Sequence, residues 1–417
     1  MVAAVVAVVV AVVVAVLDST LQQRSELPEL RTETLSADAF LDSIGVGTHL
    51  NYVDTAYGRQ GEVLARLQEL GVRHIREGAP TTPGPLADGL RAVHAAGIGS
   101  TLGVGDPAAD PAQWITAAVG VVGDGLDAVE APNELDNSEF ADWPTKLATY
   151  MPALEEAAKR LAPDAEVIGP SFIDPSSRTE LDAKLPGLFN GHPYAGGEPP
   201  EPALEQAVSE WRATAKDRGA VFTEAGYHNA LNATTGQPPA SEQAAADYMP
   251  RLLATAFGAG VERTFIYELV DEKPDPGLSD PEQHFGLLRN DLTPKPAFNA
   301  IKTLIGAVGA SPGPHSGPPL PWRLRADDND RVEALTLKRA DGSLVVALWR
   351  PVSIWNRDAR TPIDPGRLGV EFNYGGFGAR DVQVWRPSRS TLPVRSESQA
   401  RRLRLELEGD LVLVSFR

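Results

Sequence analysis

The chain has 417 residues, 42% hydrophobic and 23% charged, which is typical of a globular protein and not of a disordered or multi-span membrane chain. Its 56 acidic residues outnumber its 38 basic ones and give a formal charge of −18, which disfavours nucleic acid and anionic membrane surfaces as partners. The sequence contains no cysteine, so disulfides, zinc–thiolate sites, iron–sulfur clusters and thiol nucleophiles are excluded.

Residues 2–17 form an apolar run of Val, Ala and Leu that is followed by polar Asp18, Ser19 and Thr20. As a helix this run would span about 24 Å, short of the ~30 Å hydrocarbon core of a bilayer, which favours a signal peptide over a permanent span. No Lys or Arg precedes the run, so an uncleaved anchor is the alternative. We therefore expect a secreted or membrane-tethered protein, with residues 18–43 as a polar linker.

From residue 44 to residue 309 the sequence repeats a short apolar run, a polar loop and an amphipathic helix. Residues 61–70 and 203–216 each place apolar side chains on one helical face, and several helices are expected to end at a glycine, namely Gly71, Gly97, Gly219 and Gly260. The predicted strands cover residues 44–49, 72–76, 99–104, 128–131, 166–170, 188–191, 220–223 and 263–267. Eight such units predict an α/β fold, a (β/α)8 TIM barrel, over an open doubly wound sheet.

A Pro- and Gly-rich segment at residues 310–321 is the clearest domain boundary in the sequence. Beyond it, residues 322–417 carry short β-type runs separated by turns. These runs cover residues 332–338, 344–350, 370–373, 381–385, 403–407 and 411–416. The pattern predicts a C-terminal antiparallel β-sandwich module.

Carboxylates follow two of the predicted barrel strands. Asn133 and Glu134 come after the fourth strand, and Glu224 comes after the seventh. Because barrel enzymes place their functional residues at the carboxyl ends of the strands, both carboxylates should face one cleft. Cleavage of a glycosidic bond needs two opposed carboxyl groups, one as proton donor and one as nucleophile or base. In a shared cleft their pKa values should move apart, so that one is protonated and the other ionised near neutral pH.

This ordered set resembles the retaining glycoside hydrolases of clan A, most closely families 39 and 5. The resemblance covers roughly residues 44–417 and includes a C-terminal β-module like that of family 39. The motifs that carry it are Asn133-Glu134, Glu224, Arg76 after the second strand, His192-Pro193-Tyr194 after the sixth, and the closing segments Phe285-Gly286-Leu287 and Lys295-Pro296-Ala297-Phe298.

The resemblance implies catalysis by double displacement, with Glu134 as general acid/base and Glu224 as nucleophile. It further implies that Asn133 binds the sugar 2-hydroxyl. Tyr194 is expected to hydrogen-bond Glu224, and Arg76 to hold it ionised. The two carboxyl groups should then lie about 5 Å apart.

Other residues are expected to form the sugar subsite. His192 should line the position next to the scissile bond, as should His49 at the end of the first strand. Clan A barrels usually carry a Trp after the eighth strand, whereas this sequence has Tyr267 at that position. Tyr267 is expected to stack on a sugar ring, and Glu268 or Asp271 is expected to bind sugar hydroxyls. A carbohydrate substrate is expected, with no cofactor and no metal ion.

Three alternatives remain open at the level of sequence. A catalytically silent barrel would bind glycans without turnover. A transglycosylase would use the same two carboxylates with a sugar acceptor in place of water. A metal-dependent barrel enzyme would need a set of His and Asp side chains at the strand ends, which the sequence does not display.

Overall fold

A computed structural model describes residues 34–81, 83–103, 107–138, 140–181, 185–215, 217–310, 322–326, 332–374 and 378–417. The apolar run predicted to be a signal peptide or anchor, and nearly all of the predicted linker at residues 310–321, lie outside these residues. Among the helices of the described ranges, none combines the length and the apolar character needed to cross a membrane.

Two short elements precede the barrel, strand β1 (Thr34–Ser36) and helix α1 (Ala37–Asp42). The Ser36 side chain caps the helix by accepting a hydrogen bond from the N–H of Ala39, and Phe40 is buried. Both elements fall within residues 18–43, for which the sequence predicts a linker. At least residues 34–42 are therefore part of the packed fold.

Eight parallel strands form the barrel, and neighbouring strands pair in the order β6-β5-β4-β3-β2-β9-β8-β7. A parallel bridge between Ile168 and Leu188 joins the two ends of this sheet and closes it. The strands are β2 (Ile44–Gly47), β3 (His74–Gly78), β4 (Gly99–Gly103), β5 (Leu126–Glu130), β6 (Glu166–Ile168), β7 (Phe189–Asn190), β8 (Ala220–Ala225) and β9 (Arg263–Ile266). The predicted (β/α)8 barrel is confirmed, with strand ends shifted by a few residues.

Helices surround the strands and bury one apolar face each. In α2 this face comprises Val63, Leu67 and Leu70, and each fully buried side chain stabilises the fold by roughly 1.5–3 kcal/mol. Five helices have Pro in their first turn, where the missing N–H costs no hydrogen bond. The helices are α2 (Gln60–Leu70), α3 (Pro85–Ala95), α4 (Pro111–Val122), α5 (Trp143–Leu161), α6 (Pro200–Thr214), α7 (Glu242–Gly258) and α8 (Pro296–Gly309).

Two local expectations are wrong. The described residues between β6 and β7 form a 3₁₀ helix (Pro175–Glu180) and not an α-helix, in a segment that Pro170 and Pro186 flank. Gly219 does not cap α6, because this helix already ends at Thr214. By contrast, Gly71, Gly97 and Gly260 have φ of +84°, +78° and +94°, the left-handed conformation of a helix C-terminus.

The C-terminal module contains two facing sheets, which confirms the predicted sandwich. One sheet has the strand order β1-β11-β12-β19-β16-β17 and the other β10-β15-β18. All pairings in the two sheets are antiparallel except that of β1 with β11. The strands are β10 (Arg323–Ala326), β11 (Glu333–Lys338), β12 (Leu344–Trp349), β13 (Trp355–Asn356), β14 (Thr361–Pro362), β15 (Leu368–Asn373), β16 (Ala379–Trp385), β17 (Arg395–Ala400), β18 (Arg402–Leu407) and β19 (Val412–Phe416).

The module packs on the barrel through an apolar contact. Leu335, Leu337, Trp349 and Leu413, from strands of the larger sheet, belong to the same buried cluster as the barrel helices. Alternate residues of the same strands face the interior of the sandwich, where they form a second cluster. The larger sheet is therefore covered on both faces.

Candidate active site

The carboxyl ends of the barrel strands surround a cavity of about 510 Å³, which is within the range of small-molecule sites. Five of the predicted site residues line it: His49, Arg76, Asn133, Glu224 and Tyr267. Further polar and aromatic side chains complete the lining, namely Thr48, Asn51, Tyr52, Glu77, Glu272 and Glu282. The strand ends chosen from the sequence thus surround this cleft.

Glu134 follows β5 in an unusual backbone conformation. Its φ of 46° and ψ of 45° lie in the left-handed region, which costs a residue with a side chain about 1 kcal/mol or more. Its N–H lies 3.3 Å from Ser171 Oγ, and a 3₁₀ helix (Leu135–Asn137) begins directly after it. The chain turns sharply here and presents the Glu134 carboxyl to the cleft.

Glu224 lies in β8, where the pairing with β9 shifts register between Phe222 and Ala225. Such irregularities re-aim side chains next to active sites. Arg76 Nη1 donates to Oε1 of Glu224 at 2.5 Å, and the Tyr194 hydroxyl donates to Oε2 at 2.7 Å. Burial alone would raise the pKa of Glu224, but the charges of His192 and Arg76 and the Tyr194 hydroxyl lower it to about 2. The predicted contacts of Tyr194 and Arg76 with Glu224 are therefore present.

The two carboxyl groups lie close together, with an oxygen of Glu134 within 4.8 Å of an oxygen of Glu224. His192 connects them, because its Nδ1 lies 2.6 Å from Oε1 of Glu134 and 3.7 Å from Oε2 of Glu224. Retaining glycosidases place their carboxyl groups about 5–5.5 Å apart, whereas inverting enzymes need about 6.5–9.5 Å for a water molecule. The separation here fits the first arrangement.

Arg76 organises one side of the site. Its Nε and Nη2 donate to the two oxygens of Glu130 at 2.7 and 2.9 Å, and Nη2 also donates to Asn133 Oδ1 at 2.8 Å. Ser171 Oγ donates to the same Asn133 oxygen at 3.2 Å. With Oδ1 engaged in this way, the amide nitrogen of Asn133 is the group that can donate to a ligand hydroxyl.

His192 occupies a different position from the one predicted. Its side chain is only 2% exposed, and its Nε2 lies 2.9 Å from Thr223 Oγ1. Thr223 in turn donates to Glu130 and Asn190 at 2.8 Å. The ring thus contacts Glu134 from the protein interior and does not form the exposed cleft wall. Its effect on a substrate would act through Glu134.

Glu268 is also placed differently from the prediction. Its side chain is fully buried, so it does not line the cavity as a direct ligand of sugar hydroxyls. Oε2 accepts a hydrogen bond from the Tyr57 hydroxyl at 2.7 Å and lies 3.2 Å from Nδ1 of His49. Glu272 Oε1 lies 2.9 Å from the same nitrogen. Burial lowers the pKa of His49, but the hydrogen bonds to these two carboxylates outweigh it and raise the pKa to about 10.

An aromatic wall lies next to Glu224. The ring of Tyr267 makes edge-to-face contacts with Tyr194 and Phe285, with centroids 6.3 and 5.2 Å away, and its hydroxyl donates to Glu282 Oε2 at 3.2 Å. Tyr267 therefore lies where stacking on a sugar was predicted. Asp271 was expected to bind sugar hydroxyls, but its side chain is buried and its Oδ1 lies 2.8 Å from Lys295 Nζ.

Two groups of side chains in the described ranges have atoms close enough to share a metal ion. They are His49, Glu268 and Glu272, and Glu134, His192 and Glu224. In each group the histidine nitrogen already lies at hydrogen-bonding distance from a carboxylate. The expectation that the protein needs no metal ion or cofactor stays a prediction.

Several residues of this site were missed by the sequence analysis. Glu130 is the last residue of an apolar strand, and Glu77 directly follows Arg76, so neither stands out as a residue beyond a strand end. Glu272 and Glu282 lie in a polar loop after β9. Glu130 carries a signal that could have revealed it, since a carboxylate at the end of a buried strand favours a nearby cation.

Neither a protein-family model nor a curated protein matches this sequence. Solved structures do resemble it. A family 39 glycoside hydrolase from Bacteroides cellulosilyticus WH2 superposes with a TM-score of 0.62 at 14% identity, over 93% of this chain and 83% of the other. A family 39 enzyme from Xanthomonas axonopodis pv. citri gives a TM-score of 0.58 at 16% identity, over 93% of this chain and 95% of the other.

A monomeric beta-xylosidase from Caulobacter crescentus CB15 gives a TM-score of 0.57 at 16% identity, over 90% of this chain and 96% of that one. At such identities the likeness shows a shared fold. Because each match covers more than four fifths of both chains, the shared architecture includes the C-terminal module as well as the barrel.

Proposed function

We propose that the protein is a retaining glycoside hydrolase that cleaves O-glycosidic bonds of an oligosaccharide or polysaccharide by double displacement. The observation that carries this proposal is the pair Glu134 and Glu224: their carboxylate oxygens lie within 4.8 Å of each other, and Glu224 lines the cleft at the carboxyl ends of the strands. The likeness of the whole chain to family 39 structures supports it.

In the first step the ionised carboxylate of Glu224 attacks the anomeric carbon of the bound sugar. Protonated Glu134 gives its proton to the glycosidic oxygen as the bond from that oxygen to the anomeric carbon breaks, and the leaving group departs as an alcohol. Arg76 and Tyr194 keep Glu224 ionised and oriented for the attack. The product of this step is a sugar esterified to Glu224.

In the second step Glu134, now a carboxylate, removes a proton from water. The resulting nucleophile attacks the anomeric carbon and breaks the ester bond to Glu224, which restores both side chains and retains the anomeric configuration. The contact of His192 with Oε1 of Glu134 orients this carboxyl in both steps. The amide nitrogen of Asn133 donates to the 2-hydroxyl of the sugar.

A panel of aryl glycosides, followed by proton NMR of the released sugar, tests the proposal. We expect hydrolysis of at least one member with the configuration of the first product unchanged. Glu224→Gln should abolish turnover while leaving substrate binding measurable, and Glu134→Gln should spare mainly glycosides with highly acidic leaving groups, which depart without proton assistance. Inversion of configuration, or full activity of Glu224→Gln, would refute the assignment.

The same assay separates the alternatives. A silent glycan-binding barrel would bind sugars in the cleft and release no product from any glycoside. A transglycosylase would form longer saccharides when an acceptor sugar is added, at the expense of the hydrolysis product. The arrangement of Glu134 and Glu224 is the same for transfer to a sugar and for hydrolysis, so the acceptor experiment distinguishes these two reactions.

We also propose that the protein acts outside the cytoplasm, on the strength of the apolar residues 2–17. Fractionation of cells that express the full chain, compared with a chain lacking residues 1–17, tests this. Equal distribution of the two chains between compartments would contradict it.

A further inference from the structure

The loop that follows β2 forms one wall of the cleft. It carries four lining residues, Thr48, His49, Asn51 and Tyr52. Tyr52 and the adjacent Val53 are 40% and 49% exposed, so little packing holds the tip of the loop. Within the loop the backbone hydrogen bonds are short-range, such as Tyr52 N–H to His49 O at 2.9 Å. Toward its ends, Thr48 N–H donates to Arg76 O and Ala56 N–H donates to Glu272 O, both at 2.9 Å. Its position therefore depends on a few anchoring contacts.

Leu50 provides the central anchor. Its N–H donates to Oε2 of Glu77 at 2.6 Å, its carbonyl accepts from the Gln60 side chain at 3.2 Å, and its own side chain is buried. The Thr48 hydroxyl donates to the same Glu77 oxygen at 3.0 Å. The other oxygen of Glu77 accepts from the N–H of Gly78 at 2.8 Å. One carboxylate thus joins the loop to the end of β3.

Glu77 is a buried acidic residue of the cleft. It is only 5% exposed, and in the described part of the chain it forms no ion pair with Lys or Arg, whereas Glu224 contacts Arg76. Burial raises its pKa to about 7. A carboxyl group in such a place is costly unless its oxygens are hydrogen-bonded, and two of its three donors come from the loop.

We propose that Glu77 is a positioning residue, whose carboxylate fixes the loop after β2 so that His49, Asn51 and Tyr52 meet the sugar in one arrangement. This inference rests on the proposed function for its kinetic consequence, but the anchoring of the loop itself does not require a substrate. If the loop is already ordered in the free protein, less conformational entropy is lost when the sugar binds, and substrate binding is stronger.

Glu77→Gln is the informative change, because it keeps the shape of the side chain. A carboxylate offers only acceptors, whereas an amide replaces one acceptor by an NH2 donor. That donor would face either Gly78 N–H, or the donors of Leu50 and Thr48. With the NH2 group toward Leu50 and Thr48, both loop hydrogen bonds are lost. With it toward Gly78, the loop donors keep their acceptor, but their hydrogen bonds weaken because a neutral amide oxygen is a weaker acceptor than a carboxylate.

Hydrogen–deuterium exchange of the ligand-free protein tests the anchor directly. In Glu77→Gln we expect peptides covering residues 48–55 to exchange about tenfold faster or more, because local opening becomes easier. Glu69→Gln is the matched control, since Glu69 lies on α2 and pairs with Lys302 at 2.9 Å, away from the loop. Unchanged exchange of the loop in Glu77→Gln would overturn the proposal, whether or not the protein turns over a glycoside.

Kinetics of Glu77→Gln on the best glycoside give the second readout. We expect KM to rise about tenfold with kcat changed less than about threefold, because the loop binds sugar while Glu134 and Glu224 keep their contacts. A fall in kcat with unchanged KM would place Glu77 in the chemical step and overturn the positioning role. If Glu77→Gln does not fold, Thr48→Val removes one donor alone, and a smaller rise in loop exchange and in KM is expected.

Discussion

The two proposed catalytic residues are both glutamates, and their surroundings give them different tasks. Glu224 receives hydrogen bonds from Arg76 and Tyr194, which favour its ionised form. Among the described side chains, only the His192 ring lies at hydrogen-bonding distance from the carboxyl group of Glu134. A nucleophile and a proton donor can coexist within 4.8 Å because the guanidinium neutralises one of the two carboxylates.

Replacing Arg76 by Lys tests this division of tasks. A single ammonium cannot bridge Glu130 and Glu224 as the guanidinium fork does, so the pKa of Glu224 should rise from about 2. The acid limb of the kcat/KM profile should therefore move to higher pH, and activity should fall at least about tenfold. The pH–rate profile of the variant provides the measurement, and an acid limb identical to that of the parent protein would contradict the account.

The Tyr194 hydroxyl supplies a second test at this scale. Tyr194→Phe removes one hydrogen bond to the Glu224 carboxylate and keeps the ring contact with Phe285. Hydrogen bonds to charged groups contribute about 1.5–3 kcal/mol, so a loss of roughly ten- to hundredfold in kcat/KM is expected. Steady-state kinetics measure this, and circular dichroism checks that the fold is retained. A loss below twofold would show that Tyr194 is not needed to orient Glu224.

At the scale of elements, the site is built where regular structure ends. Glu134 follows β5 with a left-handed backbone, and Glu224 lies at a register shift of β8. The helices, by contrast, begin and end by ordinary capping. The Ser241 side chain caps α7 by accepting from the N–H of Ala244. Irregularity is thus concentrated around the cleft, while the surrounding helices supply stability.

Removing the Ser241 cap should lower stability without affecting chemistry. Ser241→Ala is expected to reduce the free energy of unfolding by about 1 kcal/mol and to leave kcat/KM unchanged, because the Ser241 side chain bonds the first turn of α7 and does not line the cleft. Denaturant titration measures the change. Ser209→Ala, on the exposed face of α6, is the control and should not lower stability. Equal destabilisation by both variants would contradict the capping account.

The barrel strands could be predicted because buried parallel strands appear in the sequence as apolar runs. Strand β17 was missed because its sequence, RSESQA, is polar and mostly exposed. Glu268 was assigned wrongly because the sequence does not show that, beyond the end of β9, Tyr267 lines the cleft while the Glu268 side chain is buried. The proposed catalytic carboxylates could be picked out because they stand at the ends of predicted strands. The residues that contact them come from distant positions that only the fold brings together.

At the scale of the whole molecule, barrel and module share one buried apolar cluster, and a buried ion pair of the barrel is hydrogen-bonded to the module. Arg251 of α7 is fully buried and binds both oxygens of Glu201 on α6, at 2.9 and 2.7 Å. Its third nitrogen donates to the carbonyls of Val352 and Gly409 in the module, at 3.0 and 2.8 Å. The two parts of the chain should therefore unfold together.

Arg251→Met tests this coupling. Removing one partner leaves the Glu201 carboxylate buried without a cation, which should cost about 3–5 kcal/mol of unfolding free energy. The double variant Glu201→Gln/Arg251→Met should recover part of the loss, since no uncompensated charge remains. Thermal unfolding of the parent protein should show a single transition. Two separate transitions, or no loss in Arg251→Met, would contradict the account.

The central claim is that Glu224 becomes covalently linked to the sugar during turnover. Incubation with a panel of 2-deoxy-2-fluoro glycosides carrying a good leaving group, followed by peptide mass spectrometry, tests it most directly, because such compounds accumulate the glycosyl-enzyme. The account predicts a mass increase of one fluorosugar on the peptide that contains Glu224, and none in Glu224→Gln. A label on another residue, or a protein that hydrolyses glycosides without ever becoming labelled, would contradict it.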